Sequence, residues 1–251
     1  MKVEGCTALV TGANRGIGKG FVDELLEHGA RKVYVASRKL EDAQAIAEGD
    51  DRLEAVQLDV TSEADVGAAA AKCTDLDLLV NNAGVFHLGK TLLGAEDESS
   101  IRETMEVNFF GPVRLIRAFA PVLKANGGGA VVNVLSAGGI VAVPSMGGYS
   151  PSKFAMRAAG DCLRPELAKQ GTSLHALIVG SVDTRMAKHV TWMEQASPRD
   201  IGKAGIVAVE HNIEEHDTDP HAVSVRAFLA RDPATLKASM ARGLENPDGR
   251  R

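Results

Sequence analysis

Residues 6–18 of this chain read CTALVTGANRGIG, an apolar run followed at once by a glycine-rich turn. The run 6–11 predicts a β-strand, and the stretch after the turn predicts an amphipathic helix. Gly12 permits a tight turn, and the missing side chains of Gly16 and Gly18 let the backbone approach a pyrophosphate and the helix approach the sheet. The helix start would offer free N–H groups and a partial positive charge to phosphates. This strand–turn–helix context favours a dinucleotide site over glycines that merely end a strand.

The same alternation of elements continues along the chain. Short β-branched runs predict strands at 6–11, 32–37, 53–58, 76–80, 129–134 and 173–179. Longer stretches predict helices at 16–29, 40–48, 62–73, 99–125 in one or two pieces, 149–170 and 198–213, with a weaker one at 220–230. Such βα units predict an α/β fold with a Rossmann-like, doubly wound parallel β-sheet flanked by helices. A seventh strand is not evident and is expected to be missing.

The chain shows no internal repeat and no linker that would divide it. Its 251 residues lie at the upper end for one hydrophobic core, a size that alternating α/β folds reach. We therefore predict one domain over residues 1–242, with a substrate loop at about 185–219. The Gly/Pro/Arg-rich segment 243–251 is expected to be a flexible tail.

The composition is that of a soluble globular protein, with 45% apolar and 24% charged residues. A formal net charge of -5 argues against nucleic acid as a partner. No apolar stretch approaches the ~18 residues of a membrane-spanning helix, and the first strand begins too early for a signal peptide. The cysteines Cys6, Cys73 and Cys162 suit neither a disulfide framework nor a metal site. We expect a cytoplasmic protein with reduced thiols in its core.

The end of the second predicted strand indicates which dinucleotide the site prefers. A site for NAD places a carboxylate there for the ribose hydroxyl, whereas a 2′-phosphate needs a cation. This chain has Ser37 and Arg38 at that point and no carboxylate until Glu41. Arg15 in the glycine turn is a second cation, and arginine can bind a phosphate through two donors. Although Arg38 could simply begin a solvated helix, the missing acid favours NADP(H).

Tyr149 and Lys153 are four residues apart, so on a helix their side chains face the same way. Pro151 is tolerated if the helix begins near Tyr149, because N–H groups of the first turn lack partners. A phenol has a pKa of about 10, and a neighbouring ammonium and an oxidised nicotinamide are both expected to lower it toward the working range of a proton donor. Ser136 would hydrogen-bond the same carbonyl oxygen. Each residue alone has an ordinary structural explanation, and only the combination indicates catalysis.

The combination resembles the short-chain dehydrogenase/reductase family over roughly residues 5–185. Its motifs are Thr-Gly-x-x-x-Gly-x-Gly at 11–18, Asn-Asn-Ala-Gly at 81–84, Asn108, Ser136 and Tyr-x-x-x-Lys at 149–153. The catalytic set is thus predicted to be Asn108, Ser136, Tyr149 and Lys153. The predicted cofactor-binding set is Gly12, Asn14, Arg15, Gly16, Ile17, Gly18, Ser37, Arg38, Asp59, Val60, Asn82, Ala83, Gly84, Tyr149, Lys153, Val182 and Thr184.

The resemblance also implies individual roles. Asn108 would anchor a water beside Lys153, which would also bind the nicotinamide ribose. Asp59 and Val60 would lie by the adenine, and Thr184 would approach the nicotinamide amide. A homo-oligomer, either a dimer or a tetramer, is expected.

Two departures from the family pattern stand out. Val179-Gly180 replaces the usual Pro-Gly, so the turn there is expected to be looser. No Asp-Gly-Gly signature of a final strand is present, and residues 222–229 predict a helix instead. Because the common tetramer interface uses that strand, the tetramer is in doubt.

We predict an NADPH-dependent oxidoreductase that reversibly reduces a ketone or aldehyde to an alcohol. The substrate is expected to be apolar or aromatic, because an apolar lid is predicted from Met186, Val190, Trp192, Met193, Phe86, Val143, Pro144 and Met146. Ordinary packing of a short helix explains the first four of these equally well. Alternatives are a dehydrogenase of a steroid, sugar or acyl-type alcohol, and an NADP-binding regulator without turnover. A hydrolase is disfavoured because no Gly-x-Ser-x-Gly motif occurs.

The histidines His211, His216 and His221 recur every five residues in an acidic run. That spacing spreads side chains around a helix instead of along one face, so no metal site is predicted. A solvated acidic helix end is expected there.

Overall fold

The structure, a computed structural model, describes residues 1–188, 190–191 and 193–244. The strands are β1 Thr7–Thr11, β2 Lys32–Ser37, β3 Leu53–Gln57, β4 Leu78–Asn81, β5 Gly129–Val134, β6 Thr172–Ile178 and β7 Glu215–Asp217. The helices are α1 Gly16–Glu27, α2 Leu40–Ala47, α3 Glu63–Lys72, α4 Ser99–Met105, α5 Gly111–Ala125, α6 Tyr149–Ala168, α7 Pro198–Glu210, α8 Pro220–Arg231 and α9 Pro233–Ala241. A wider π-type turn, Glu106–Phe110, joins α4 to α5.

Within the described residues, these strands form one parallel sheet in the order β3-β2-β1-β4-β5-β6-β7. The chain order reverses between β1 and β4, and in such sheets ligands bind outside the carboxyl ends of the strands at this reversal. The predicted α/β fold with a doubly wound parallel sheet is confirmed. The glycine turn after β1 and the turn after β4 flank the reversal point.

Two hydrophobic clusters cover the two faces of the sheet. Side chains alternate along each strand, so Leu9 and Leu79 join one cluster while Val10 and Val80 join the other. These central strands are almost entirely buried, as expected for a parallel sheet with helices on both faces. That residues 1–242 form a single domain stays a prediction.

The expectation that a seventh strand is missing is wrong. Glu215–Asp217 pairs in parallel with β6, with Ile178 opposite Asp217. The sequence pattern does not predict this strand, because it is three residues long and carries two acids instead of an apolar run. Arg157 and Arg226 both bind Glu215, so the acids are held in ion pairs, and they do not form a solvated helix end.

The C-terminal region differs from the sequence-based expectation in other respects. The helix predicted at 220–230 is present as α8, but α9 follows it and was not predicted. Residues 242–244 form a short 3-10 helix, and the rest of the predicted tail lies outside the described residues. No described helix is both long and apolar enough to cross a bilayer.

The cysteines are unpaired, but they do not share one environment. Cys6 and Cys73 are buried, as predicted for core thiols, whereas Cys162 is exposed on α6. The prediction of a core thiol is therefore wrong for Cys162, because this residue lies on the outward side of its helix.

Candidate active site

The glycine turn after β1 is shaped so that only glycine fits. Gly12 and Gly16 have φ angles of +63° and +53°, which residues with a side chain rarely adopt. A Cβ on Gly18 would lie 2.3 Å from the Gly12 carbonyl oxygen. The turn thus forms a cradle in front of the first N–H groups of α1, and these features fit the pyrophosphate of a dinucleotide.

Thr11 bonds this turn to the one after β4. Its hydroxyl oxygen accepts from the backbone N–H groups of Asn82 and Ala83, both at 3.0 Å. The Asn82 amide group donates to the Thr11 carbonyl at 2.8 Å. The two turns at the reversal point of the sheet are therefore held as a unit. Gly84 follows, and a Cβ there would lie 3.2 Å from the Asn108 side-chain oxygen.

The predicted adenosine end of the site is more open. Arg15 and Arg38 are exposed, whereas Ser37 is buried. Neither arginine has an ion pair or side-chain hydrogen bond with any described residue. Asn14 instead donates to Asp42 at 3.2 Å.

Asp59 and Val60, which are predicted to lie by the adenine, are held by bonds within their own segment and by one bond from α5. Asp59 accepts from the backbone N–H of Thr61 at 2.9 Å, and Val60 is buried while its carbonyl accepts from Arg114 at 2.8 Å. Ile17 packs against the cluster on the α1 side of the sheet. These residues lie around the carboxyl ends of β1, β2 and β3.

The structure brings Ser136, Tyr149 and Lys153 together at the carboxyl end of β5. Tyr149 is the first residue of α6, which accommodates Pro151 in the first turn. The Lys153 Nζ atom lies 5.5 Å from the centroid of the Tyr149 ring and donates to the Val134 carbonyl at 2.8 Å. Ser136 begins a short 3-10 turn, and its oxygen accepts from the Gly138 N–H at 3.0 Å.

Burial changes the acid–base properties of both α6 residues. It lowers the pKa of Lys153 to about 8, because the charged ammonium is removed from water. Burial also raises the pKa of Tyr149, and a hydrogen bond with Ser136 opposes this rise only in part. The expectation that the Tyr149 pKa is lowered is therefore wrong as far as the protein's own groups are concerned. Desolvation is the dominant cause of the rise, and Ser136 is the group that lowers the Tyr149 pKa.

Asn108 lies in the π-type turn between α4 and α5, an irregularity often found at functional sites. Its side-chain oxygen accepts from the Val85 N–H at 2.9 Å, and its amide donates to the Val85 carbonyl at 3.0 Å. The same amide donates to the Ser152 hydroxyl at 3.1 Å. Asn108 thus joins the segment after the Asn-Asn-Ala-Gly turn to the first turn of α6.

The turn after β6 completes the cluster of predicted residues. Val182 is buried, and the Thr184 methyl group lies 3.4 Å from where a Cβ on Gly16 would be. The turn is bonded to the segment before α7, since Asp183 N–H donates to the Ala196 carbonyl at 3.0 Å. The predicted catalytic residues and the predicted cofactor-binding residues therefore lie along one edge of the sheet.

Comparison with known proteins decides the family. A family model described as short chain dehydrogenase matches residues 6–195. This chain is a member of the short-chain dehydrogenase family. The family resemblance inferred from the sequence is thereby confirmed, and the family comprises oxidoreductases that use NAD(P).

Several known proteins are similar to this short-chain dehydrogenase, and the aligned share of their own length differs. It is 34% identical over 193 residues to human 17-beta-hydroxysteroid dehydrogenase type 1, covering 72% of this chain and 58% of that protein. It is 33% identical over 206 residues to the oxidoreductase UcpA of Salmonella typhimurium, covering 79% and 77%. A solved short chain dehydrogenase of Burkholderia cenocepacia J2315, in complex with NADP, has 38% identity and a TM-score of 0.89, covering 96% of this chain and 99% of that one.

Two residues near the tyrosine were not predicted as part of this dehydrogenase's catalytic cluster. Ser152 is fully buried, and its hydroxyl donates to the Tyr149 carbonyl at 2.7 Å while accepting from Asn108. Its position inside the Tyr-x-x-x-Lys segment was the available signal. Phe86, predicted only for the lid, packs edge-on against the Tyr149 ring with centroids 5.2 Å apart.

The predicted lid is only partly described. Met186 is 45% exposed in a short helix, and Val190 and Met193 are half-buried, whereas Trp192 and the nearby His189 lie outside the described residues. On the opposite side, the Met146 sulfur lies 3.6 Å from where a Cβ on Gly138 would be. Val143 is half-buried and Pro144 exposed in the same loop. Of the predicted lid residues, Met146 therefore borders the Ser136 turn.

The three regularly spaced histidines are separated by the fold. His211 ends α7, His216 lies within β7 and His221 lies in the first turn of α8. In the described parts of the chain, no group of three His, Cys, Asp or Glu side chains is placed to hold a metal ion.

Proposed function

We propose that this dehydrogenase reduces a ketone or aldehyde to an alcohol, reversibly, with NADPH. The observation that carries the proposal is the grouping of Ser136, Tyr149 and buried Lys153 at the sheet edge that also carries the glycine cradle. When bound, the dinucleotide supplies a hydride to the carbonyl carbon. The protein must then hold the carbonyl oxygen and give it a proton.

Tyr149 is proposed to donate that proton. Its pKa is raised by burial, so the phenol keeps its proton near neutral pH until negative charge develops on the substrate oxygen. Ser136 is proposed to donate a hydrogen bond to the same oxygen and so to stabilise the developing charge. The pairing is supported by the influence of Ser136 on Tyr149, since Ser136 partly opposes the rise in the tyrosine pKa.

Lys153 and Asn108 are proposed to support these two residues. The Lys153 amine has donors to spare after the bond to Val134, and these would bind the nicotinamide ribose. Asn108 holds the first turn of α6 through Ser152, whose hydroxyl bonds the Tyr149 carbonyl. In this proposal Asn108 fixes the position of the tyrosine through protein contacts, beside any water that it anchors.

NADP(H) is the proposed dinucleotide. Arg38 and Arg15 are exposed at the end of the site where the adenosine is expected, and neither is neutralised by a described partner. A 2′-phosphate would find two guanidinium groups there, whereas NAD would find no carboxylate at the end of β2. The Burkholderia cenocepacia relative was solved with NADP, which also supports this choice.

An apolar or aromatic carbonyl compound is the proposed substrate. Phe86 beside the Tyr149 ring and Met146 beside the Ser136 turn support it, since both would face a ligand through apolar atoms. A steroid is the second candidate, favoured by the similarity to the human hydroxysteroid dehydrogenase. A cytoplasmic location and a homo-oligomeric state remain predictions; the presence of β7 removes the sequence-based argument against a tetramer.

The test is to follow NADPH absorbance with aromatic ketones, aliphatic aldehydes, steroid ketones and ketoses. We expect kcat/KM for aromatic ketones to exceed that for ketoses at least about tenfold, the gain available from burying a few apolar groups. A protein that binds NADPH tightly but reduces none of these would support the non-catalytic regulator instead. Faster turnover of steroid ketones than of small aromatic ones would favour the second candidate.

A further inference from the structure

A buried carboxylate links the end of β6 to the start of α8. Asp219 is 6% exposed, and its Oδ1 accepts from the backbone N–H groups of His221 at 3.0 Å and Ala222 at 3.1 Å. These bonds cap the helix. Its Oδ2 accepts from the Gly180 N–H at 2.7 Å and the Thr218 hydroxyl at 3.0 Å. Thus a single side chain both caps α8 and holds a peptide group thirty-nine residues earlier in the chain.

The packing at Gly180 shows how close this link is. A Cβ on Gly180 would lie 2.2 Å from Asp219 Oδ1 and 2.8 Å from the Ala222 nitrogen. Real Cβ atoms do not approach other atoms so closely, so the start of α8 can rest on β6 only because this residue is glycine. The backbone pairing of β6 with β7 ends at Ile178, and the Asp219 side chain extends the connection beyond that point.

The residues on either side of Gly180 lead directly into the proposed site. The Val179 carbonyl accepts from the Ala137 N–H at 2.7 Å, next to Ser136. After Gly180 the turn carries Val182 and Thr184, and Thr184 packs beside Gly16. Ala196 also holds the turn, because its N–H donates to the Ser181 carbonyl at 2.9 Å and its carbonyl accepts from the Asp183 N–H at 3.0 Å. Asp219 is therefore one of the anchors that determine where Thr184 lies relative to the glycine cradle.

We propose that Asp219 is a positioning residue, whose bond to Gly180 places the 180–184 turn against the glycine cradle for binding the nicotinamide half of the dinucleotide. The proposal rests on the proposed function, which assigns the nicotinamide to this turn. It also explains how the chain restrains Val179-Gly180 without a proline. Asp219 acts through the backbone, and it is not proposed to touch the substrate or cofactor.

The chain contains a matched control for this residue. Asp232 also precedes a proline and begins a helix, and its Oδ1 accepts from the Thr235 N–H at 3.1 Å. That bond stays within the start of α9. Serine caps helices about as well as aspartate, so Asp219→Ser keeps the cap of α8 but is too short to hold Gly180 as well. Asp232→Ser makes the same change where no distant peptide group is held.

The first measurement is amide hydrogen exchange of residues 180–184 in the unliganded protein. We expect Asp219→Ser to speed exchange at Gly180 at least about tenfold, as expected for loss of a bond to a charged acceptor, while Asp232→Ser leaves it unchanged. The second measurement is NADP⁺ binding by calorimetry, where we expect affinity to fall about tenfold in Asp219→Ser and less than about twofold in Asp232→Ser. Asp219→Asn, which keeps the side-chain shape but loses one acceptor, should show both effects and serves if the serine variant does not fold.

Equal exchange at residues 180–184 in the Asp219 and Asp232 variants would overturn the proposal. Faster exchange in Asp219→Ser with unchanged NADP⁺ affinity would also overturn it, because the position of the turn would then not affect binding. Neither measurement requires turnover. If the wild-type protein binds NADP⁺ but reduces no carbonyl compound, the proposed function fails while this comparison still decides the role of Asp219. In an active enzyme, Asp219→Ser should raise the KM for NADPH more than it lowers kcat.

Discussion

The two ends of the proposed dinucleotide site are built by different means. At the reaction end, Lys153 is buried, Tyr149 is half-buried, and both have shifted pKa values caused mainly by burial. At the adenosine end, Arg15 and Arg38 are exposed and have no described partner. The reaction end therefore depends on the whole surrounding fold, whereas the adenosine end depends on a few surface charges. Substitutions at the reaction end should lower activity strongly. Substitutions at the adenosine end should change the preference between NADPH and NADH with little effect on stability.

The largest effect is expected for Tyr149→Phe, which removes the proposed proton donor and keeps the ring that packs against Phe86. We expect kcat/KM to fall about 10³-fold, within the usual contribution of a general acid. NADPH affinity should stay within about threefold of wild type, because the proposed pyrophosphate cradle lies in the glycine turn and is left intact. Steady-state kinetics and calorimetry measure the two quantities.

Tyr34→Phe is the matched control, since Tyr34 is the other tyrosine in the chain. Its hydroxyl donates to Asp75 at 2.7 Å and accepts from Lys32 at 2.7 Å, within β2 and remote from α6. Loss of these bonds should lower the free energy of unfolding by about 1 kcal/mol and leave kcat unchanged. Retention of a large share of wild-type activity in Tyr149→Phe would refute the assigned role and weaken the contrast between the two ends.

A smaller effect is expected at Lys153. Lys153→Met should lower kcat/KM about 10²-fold, because the residue supports the proton donor and the ribose without transferring the proton itself.

The titration of Lys153 should also make the free energy of unfolding depend on pH. Folding buries a charge below pH 8, whereas between pH 8 and the ordinary lysine pKa of 10.5 the folded chain releases a proton that the unfolded chain retains. The free energy of unfolding of the wild type should therefore rise with pH across this window relative to Lys153→Met.

Chemical denaturation of the wild type and of Lys153→Met at several pH values measures that difference. A difference that does not change across the window would show that the Lys153 amine is not desolvated. The reaction end would then resemble the adenosine end in its exposure to water.

The smallest effect on catalysis is expected for Arg38→Asp. The substitution replaces an exposed guanidinium with a carboxylate that repels a 2′-phosphate and can accept from a ribose hydroxyl. We expect the ratio of kcat/KM for NADPH to that for NADH to fall at least about tenfold, with little change in stability. Lys237→Asp in α9, an exposed site, makes the same change in charge and should leave the ratio unaltered. An unchanged ratio in Arg38→Asp would remove the main argument for NADP(H).

The sequence predicted the parts of the molecule in which a residue type is dictated by local geometry. Gly12 and Gly16 occupy backbone conformations that favour glycine, and Gly18 has no room for a side chain, so the turn could be read directly. The buried strands could likewise be predicted from their apolar runs. By contrast, β7 is short and acidic, and it is a strand only because β6 and two arginines pair with it. Such a strand depends on residues distant in sequence, which periodicity does not reveal.

The same distinction holds within the site. Tyr149 and Lys153 were recognisable because their spacing on one helix is local. The raised pKa of Tyr149 was not, because it depends on how deeply the fold buries the ring. The link from Asp219 to Gly180 was also hidden, since it joins two segments that are brought together only by the pairing of β6 with β7.

The different surroundings of the cysteines offer a practical route to observing α6 in solution. Burial raises the pKa of Cys6 and Cys73 to about 12, so these thiols stay protonated and unreactive toward alkylating reagents. Cys162 is exposed on the helix that begins with Tyr149. A maleimide-linked fluorophore or spin label should therefore attach to the wild-type protein at a single position, without removal of any native cysteine. Its signal would report ligand-induced movement of that helix from the outside of the molecule.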